Sequence, residues 1–269
     1  MMSSASRRAV GAVVLSLVAA GASAQTAVAP QTPFEPVSGQ AGKDVVWVPT
    51  PQATVDTMLE LIKVSSGDVL VDLGSGNGIT VISAAKKGAT ATGVEFNPEM
   101  VALARRLAQE AGVTGKATYV QGDLFEADLS KATAITLFLL PSINEKLRPK
   151  LLELKPGTRI ASNTFDMGDW EPDAKATAPN CETYCSALAW VVPAKAAGTW
   201  QVGNETLTLT QQYQQLSGTL GSQPVTAGKL DGTGISFTVG ERVYTGRVEG
   251  DRMTGQNWSA NRVSAKPAQ

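Results

Sequence analysis

The sequence of 269 residues contains no histidine and only two cysteines. No histidine can therefore act as a base or bind zinc, and Cys181 and Cys185 alone cannot complete a zinc site. We expect no metal site. In an oxidising compartment the two thiols could close a short disulfide if the backbone between them forms a turn or loop; two free thiols are the alternative.

The sequence also lacks an excess of positive charge, with 23 lysines and arginines against 24 aspartates and glutamates. Proteins that bind nucleic acids or membrane surfaces electrostatically usually carry a basic excess or a basic patch. We therefore expect no nucleic-acid partner. The oligomeric state stays open.

The N-terminal apolar stretch, residues 9–20, is too short and too rich in alanine and glycine to span a membrane comfortably. Arg7 and Arg8 precede it, and a small-x-small pattern ending at Ala24 follows it. We predict a signal peptide at residues 1–24, an exported periplasmic or secreted protein, and no stable membrane span in the mature chain. An uncleaved anchor is the alternative, and the paired arginines leave both Sec and twin-arginine export open.

Residues 43–193 alternate strand-like and helix-like segments, after a linker rich in proline, alanine and glutamine at residues 25–42. The segments VLVDL (69–73) and AITLFLL are apolar enough to be strands buried on both faces. Thr50 followed by Pro51 predicts the start of a helix, with Thr50 as its cap. The alternation predicts an α/β fold with a doubly wound, mostly parallel Rossmann-like sheet, which binds ligands at the carboxyl ends of its strands.

Residues 194–262 have a different pattern, in which apolar and polar residues alternate and glycines recur. Two similar units, GKLDGTGISF and GRVEGDRMTG, follow one another within it. This pattern predicts a small antiparallel β-meander domain with glycine turns and a structural role, followed by a tail at residues 263–269.

The strand at residues 69–73 is followed by three glycines at alternate positions, Gly74, Gly76 and Gly78. Ile79 stands where a dinucleotide-binding loop would carry its third glycine. Glu95, at the end of the next strand, can accept hydrogen bonds from ribose hydroxyls of either a dinucleotide or another nucleoside. Asp72 favours a ligand that carries positive charge instead of phosphates.

Three segments, VDLGSGNG, GVEFNP and QGDLFEADL, resemble the first three motifs of the class I S-adenosylmethionine-dependent methyltransferases. The resemblance covers roughly residues 48–170. It implies S-adenosylmethionine as the cofactor. An NAD(P) site and a scaffold that has lost its ligand are the alternatives.

The resemblance also implies roles for individual residues. The glycines and Ser75 would let the backbone pass under the ligand, Asp72 would hold its amino end, and Glu95 would bind the ribose. The predicted cofactor-binding residues are Thr50, Pro51, Asp72, Gly74, Ser75, Gly76, Gly78, Glu95, Phe96, Asp123 and Leu124. Among these, Phe96 and Leu124 would pack against the adenine, and Asp123 would accept from its amino group.

The methyl acceptor is indicated by a closer resemblance. The place after the fourth strand holds Leu139-Leu140-Pro141-Ser142, without the Asn/Asp-Pro-Pro-Tyr/Phe motif of enzymes that methylate planar amines. The segments VWVPTPQATVDTML and LFLLPSINEKLRPK are similar to the ATP synthase c-subunit lysine methyltransferases, and more distantly to the non-SET histone lysine methyltransferases. This similarity implies N-methylation of a lysine in a protein substrate.

The similarity leaves the catalytic residues unassigned. An amine channel needs apolar walls and a route for the proton, and its candidate residues are Phe138, Leu140, Phe165, Asp166, Asp169 and Trp170. A non-enzymatic envelope protein that keeps the fold and binds through its β segment is the alternative.

Overall fold

The computed structural model describes residue 1 and residues 34–264. The predicted signal peptide beyond residue 1, the linker up to residue 33 and the tail from residue 265 lie outside the described residues, so export stays a prediction. Within the described part of the chain, no helix has both the length and the apolar character needed to cross a membrane.

Residues 52–191 fold into a seven-stranded sheet with four helices. The elements are α1 (Gln52–Leu61), β1 (Val69–Leu73), α2 (Ile79–Lys86), β2 (Thr90–Glu95), α3 (Pro98–Glu110), β3 (Ala117–Gln121), β4 (Ala134–Leu137), α4 (Pro141–Leu152), β5 (Arg159–Asn163), β6 (Ala174–Thr177) and β7 (Ser186–Val191). The strand order is β3-β2-β1-β4-β5-β7-β6. Strands β1 to β5 pair in parallel, and β7 is antiparallel to both of its neighbours.

The central parallel strands β1, β4 and β5 are apolar because core residues pack against both faces of the sheet. All residues of β4 are buried, and β1 and β5 each have four buried residues after a partly buried first one. The strand order reverses between β2 and β4, on either side of β1. Such a reversal opens a crevice at the carboxyl end of the central strand, where β1 runs into the glycine loop.

The predicted start of α1 needs a correction of one residue. Pro51 occupies the N-cap position with an extended backbone, and no side chain caps the helix. The Pro51 carbonyl already accepts hydrogen bonds from the backbone N–H groups of Thr54 and Val55, so Thr50 lies one residue before the cap. At α3 a side chain does cap the helix, because the Asn97 side chain accepts from the N–H of Glu99 at 2.8 Å.

Strands β6 and β7 form a hairpin that the sequence pattern did not reveal. Asn163, at the end of β5, pairs with Ala187, near the start of β7. Because β7 is antiparallel to β5, the loop between β6 and β7, residues 178–185, reaches the edge of the sheet where the parallel strands end.

The C-terminal segment forms a closed eight-stranded antiparallel barrel, so the prediction of a small β-meander understated it. Its strands are β8 (Gly198–Val202), β9 (Glu205–Gln212), β10 (Gln215–Leu220), β11 (Gln223–Asp231), β12 (Gly234–Val239), β13 (Arg242–Glu249), β14 (Arg252–Gly255) and β15 (Ser259–Ser264). Pairing of β15 with β8 closes the barrel, which leaves no open sheet edge. The strand β15 includes the first two residues of the predicted tail. The alternating apolar residues fill the interior, with Trp200, Phe237 and Met253 fully buried.

The turn between β9 and β10 anchors the barrel to the first sheet. Gln214 is buried, its side-chain oxygen accepts from the Trp170 indole N–H at 2.9 Å, and its amide donates to the Glu171 carbonyl at 2.8 Å. The neighbouring Tyr213 stacks on Trp170 with ring centroids 5.8 Å apart. The barrel therefore holds the segment that follows β5.

Candidate functional site

A cavity lies at the carboxyl ends of the parallel strands, between the loops that follow β1, β2, β3 and β4 and the chain segment before α1. Most of the predicted site residues line it. These are Thr50, Asp72, Gly74, Ser75, Gly76, Glu95, Phe96, Asp123, Leu124, Phe138, Leu140 and Phe165. Their individual roles stay predictions.

The glycine loop has a backbone that other residues would strain. Gly76 has φ +51°, and a Cβ atom there would lie 2.5 Å from the indole nitrogen of Trp47. Gly78 has φ +82°, and a Cβ atom there would lie 2.5 Å from the Tyr119 hydroxyl oxygen. Gly78 therefore makes room for Tyr119 and does not itself line the cavity. Trp47, which the sequence did not indicate, covers the loop at Gly76.

Glu95 is fixed beside this loop by two backbone groups. One carboxylate oxygen accepts from the N–H of Gly76 at 2.9 Å, and the other accepts from the N–H of Asn97 at 2.9 Å. The side chain is half-buried at the cavity wall. These contacts orient the carboxylate at the end of β2, where a ribose diol can donate to it.

Asp72 is a buried carboxyl at the end of β1. The Thr136 hydroxyl donates to one of its oxygens at 2.6 Å. Burial raises the pKa of Asp72 to about 7, the hydrogen bond from Thr136 opposes this, and the nearby charge of Glu95 raises the pKa further. Next in the loop, the buried Ser75 hydroxyl has no hydrogen-bond partner among the residues that the structure describes. An ammonium group of a ligand would satisfy the Asp72 carboxylate, so this part of the cavity fits a cationic ligand.

The opposite part of the cavity pairs an acid with an aromatic ring. Asp123 accepts from the N–H of Phe125 at 2.9 Å and forms an ion pair with Lys43. The hydrogen bond from Lys43 is the largest of the effects that hold the pKa of Asp123 below its usual value. The Lys43 amine also lies 5.3 Å from the centroid of the Phe96 ring. Lys43 comes from the segment before α1, and sequence reasoning missed it.

Three aromatic side chains at the cavity wall form a cluster that we call the aromatic trio: Phe138, Phe165 and Tyr184. The Phe138 and Tyr184 rings are 5.1 Å apart at a 64° interplanar angle, and the Phe138 and Phe165 rings are 6.1 Å apart and nearly parallel. Tyr184 was not predicted as a site residue. Leu140 lies at the same cavity and is exposed.

Backbone contacts hold Phe165 after the end of β5. Thr164 has φ +61°, a rare conformation for a β-branched residue, and such strained residues cluster at functional sites. The Phe165 carbonyl accepts from the Ser162 hydroxyl at 2.6 Å and from the Asn144 amide at 3.3 Å. These bonds place the Phe165 ring against Phe138.

Trp170 does not line the channel as predicted, because it packs in the core. Its side chain is fully buried, and its indole N–H donates to Gln214. Asp169 forms an ion pair with Arg148 and accepts a hydrogen bond from the Tyr213 hydroxyl, which hold its side chain away from the cavity. Asp166 is exposed and accepts from a backbone N–H two residues later. Neither aspartate lines the cavity, and Pro51 does not line it either.

The two cysteines form a disulfide, as the sequence allowed. Cys181 and Cys185 are linked within the loop between β6 and β7, outside any helix or strand. This agrees with the requirement for a turn or loop between two cysteines so close in sequence. The linked loop also contains Tyr184.

Comparison with known proteins agrees with this site. Residues 72–174 match the family model of the ANTKMT methyltransferase domain. A protein-lysine N-methyltransferase of Saccharolobus islandicus is 48% identical over 131 residues, which cover 48% of this chain and 81% of that protein. The ATP synthase c-subunit lysine N-methyltransferase of Mus musculus is 36% identical over 128 residues. The match covers 47% of this chain and 51% of the mouse protein, so the chain spans about half the length of that relative.

A solved structure is also similar. The RNA methyltransferase from Salinibacter ruber, in complex with S-adenosyl-L-homocysteine, is 49% identical with a TM-score of 0.52, and the match covers 55% of this chain and 95% of that one. The fold and cavity define a class I S-adenosylmethionine-dependent methyltransferase. Within that class, the chain belongs to the same family as the protein-lysine N-methyltransferase of Saccharolobus islandicus.

Proposed function

We propose that this methyltransferase transfers a methyl group from S-adenosylmethionine to the side-chain amine of a lysine in a protein. The observation that carries the proposal is the aromatic trio at the wall of the cofactor cavity. Aromatic faces attract an ammonium group within about 6 Å of the ring centroid. The names of the archaeal and mouse relatives support the same acceptor.

The cofactor supplies an electrophilic methyl group on a sulfonium, so the lysine nitrogen must present its lone pair. The faces of the aromatic trio would receive the lysine side chain as an ammonium, which must then lose a proton to present its lone pair. That proton would pass to water at the exposed side of the trio, and the bond from the nitrogen to the methyl carbon would form as the carbon–sulfur bond breaks. Positioning of the amine by the trio and Leu140 would then supply the catalysis without a dedicated base.

The residues around the cavity fit a ligand that carries a nucleoside, a sulfonium and an ammonium group. Asp72 would hold its amino group, Glu95 its ribose and Asp123 its adenine, with Phe96 against the ring. Asp123 could accept from the adenine amino group while Lys43 stays bound, because a carboxylate offers about four acceptor sites.

A planar amine in RNA or DNA is disfavoured as the acceptor. The segment after β4 is Phe138-Leu139-Leu140-Pro141, which offers no side-chain amide or acid to a base. The chain carries a net charge of −1, whereas RNA-binding surfaces are usually basic. The similar protein from Salinibacter ruber is nevertheless named as an RNA methyltransferase, which makes RNA the competing acceptor to test.

We also propose that the protein acts after export. The basic pair, the apolar stretch and the small-x-small pattern of residues 1–24 support this, and the disulfide suits an oxidising compartment. Cell fractionation with N-terminal sequencing of the mature chain tests the proposal. A protein that begins near Gln25 in the periplasm or medium is expected, and an unprocessed cytoplasmic chain would contradict export.

The acceptor is tested with the purified chain and S-adenosylmethionine that carries a labelled methyl group. The panel contains a peptide library with one central lysine, the same library with arginine in its place, and total RNA. We expect label on the lysine library alone, and no label with Glu95→Ala, which removes the ribose ligand. Label on RNA and none on lysine would overturn the proposed acceptor.

A further inference from the structure

The loop that carries the disulfide lies at the acceptor side of the cavity. The antiparallel pairing of β7 with β5 brings residues 178–185 to the edge where β4 and β5 end. The N–H of Thr164, just after β5, donates to the carbonyl of Ser186 at 2.7 Å. The loop is therefore joined to the segment that carries Phe165.

Tyr184 completes the aromatic trio from this loop. Its ring lies 5.1 Å from Phe138 and 6.3 Å from Phe165, and it lines the cavity while 37% of the residue stays exposed. The exposed part leaves ring surface available to a side chain that enters from outside. Phe138 directly follows β4 and Phe165 lies two residues after β5, so both strands position them. Tyr184 instead comes from a segment without regular structure.

The position of Tyr184 depends on contacts that hold an unusual backbone. Tyr184 has φ +55°, a left-handed conformation that bulky residues rarely adopt without support. Its carbonyl accepts from the hydroxyl of Thr54 at 3.0 Å, and Thr54 is fully buried in α1. The next residue, Cys185, is tied to Cys181, and its carbonyl accepts from the N–H of Ala178 at 2.7 Å.

We propose that Tyr184 binds the acceptor amine, and that the Cys181–Cys185 disulfide positions it for that task. This inference rests on the proposed lysine methylation. The cross-link removes most alternative conformations of the residues between the two cysteines, which include Tyr184. Reduction by a dithiol converts the disulfide to two thiols while the dithiol is oxidised to its own disulfide, and it frees the loop to leave the left-handed conformation.

The acceptor and the cofactor should respond differently to changes in this loop. The predicted cofactor residues come from other elements: Asp72 from the end of β1, Glu95 from the end of β2 and Asp123 from the loop after β3. Loss of the Tyr184 ring therefore weakens acceptor binding while cofactor affinity stays the same. A cation–π contact of this kind corresponds to about a fivefold to thirtyfold change in binding.

The test measures KM for a lysine peptide, kcat and the affinity for S-adenosylmethionine by calorimetry on the full chain. We expect Tyr184→Ala to raise KM about fivefold to thirtyfold with cofactor affinity unchanged, and Tyr184→Phe to behave almost as the wild type. Thr183→Ala, in the same loop, serves as the matched control and should change neither quantity. Cys181→Ser with Cys185→Ser, and wild-type protein reduced with dithiothreitol, should each raise KM, and the reductant should not affect the double variant further.

The outcomes separate this inference from the proposed function. An unchanged KM in Tyr184→Ala, with a wild type that methylates lysine, would overturn the role of Tyr184 alone. An unchanged KM in the double serine variant, beside a raised KM in Tyr184→Ala, would overturn the role of the disulfide. A wild type that binds the cofactor but methylates no lysine would overturn the proposed function and this inference with it.

Discussion

Replacement of Asp72 with asparagine should make the cofactor-free protein more stable at neutral and higher pH. Asp72 is buried, and burial is the main cause that raises its pKa from 3.8 to about 7. Asparagine keeps the shape and an oxygen that can accept from the Thr136 hydroxyl, but it carries no charge to desolvate. The variant therefore removes the titration and little else.

The sign of the effect follows from the direction of the shift. The pKa of Asp72 is higher in the folded than in the unfolded protein, so the folded protein binds this proton more tightly. The stability that protonation of Asp72 contributes is therefore fully present below about pH 4 and is lost as the pH rises through about 7. Each pKa unit corresponds to about 1.4 kcal/mol, so roughly three units give about 4 kcal/mol in total. Between pH 5 and pH 8 the wild type should lose roughly 2–3 kcal/mol of this.

Urea denaturation of the wild type, Asp72→Asn and Asp231→Asn at pH 5 and pH 8 measures the effect. Asp231 is exposed on the barrel and serves as the matched control. We expect the stability of Asp72→Asn to fall less between the two pH values, by roughly 2–3 kcal/mol, than that of the other two proteins. If Asp72→Asn shows the same pH dependence as the wild type, the burial argument for Asp72 is refuted.

Folding of the apoprotein favours the protonated Asp72 carboxyl, whereas cofactor binding should favour the ionised carboxylate. The ammonium of S-adenosylmethionine favours the ionised carboxylate, so binding at about pH 6.5 should release protons. Calorimetry in two buffers that differ in ionisation enthalpy measures the release. The apoprotein thus bears a stability cost at a group that the ligand needs, a common trade-off at functional sites.

Three further changes test other parts of the structure. Glu95→Gln should weaken S-adenosylmethionine binding roughly tenfold to a hundredfold, because a charged acceptor for the ribose is lost; unchanged affinity in calorimetry would refute the ribose assignment. Gln214→Ala should destabilise the fold by about 1–3 kcal/mol in urea denaturation, because the buried Trp170 indole N–H loses its partner; a neutral effect would contradict the anchoring role of this turn. Gly76→Ala should also weaken cofactor binding, because its Cβ would clash with Trp47; wild-type affinity would contradict that argument.

The central part of the fold and cavity was predictable because its signals are local. A strand, a glycine loop and a helix follow one another at residues 69–86, and Glu95 ends the next strand of the same pattern. Each signal lies within a few residues of the chain, so the order of the elements predicts the fold class, and the resemblance of the motifs to class I methyltransferases implies the cofactor. The side chains that such motifs provide meet at one edge because parallel strands all end there.

The missed features depend on contacts between distant segments. Tyr184 reaches the cavity only because a hairpin pairs antiparallel to β5, and Lys43 reaches it from the segment before α1. Trp170 was assigned to the channel because an aromatic residue after a strand suits either a channel or a core, and only its contact with Gln214 decides for the core. Closure of the barrel depends on the pairing of β15 with β8, while the alternating pattern is the same in an open sheet.

The most direct test of the account is to localise the transferred methyl group. The purified chain is incubated with S-adenosylmethionine carrying a deuterated methyl group and the single-lysine peptide library, and the products are sequenced by tandem mass spectrometry. The account predicts deuterated methyl groups on the lysine side-chain nitrogen, and none when Glu95→Ala replaces the wild type. Deuterium on another residue type, or on no residue although the protein binds the cofactor, would contradict lysine methylation.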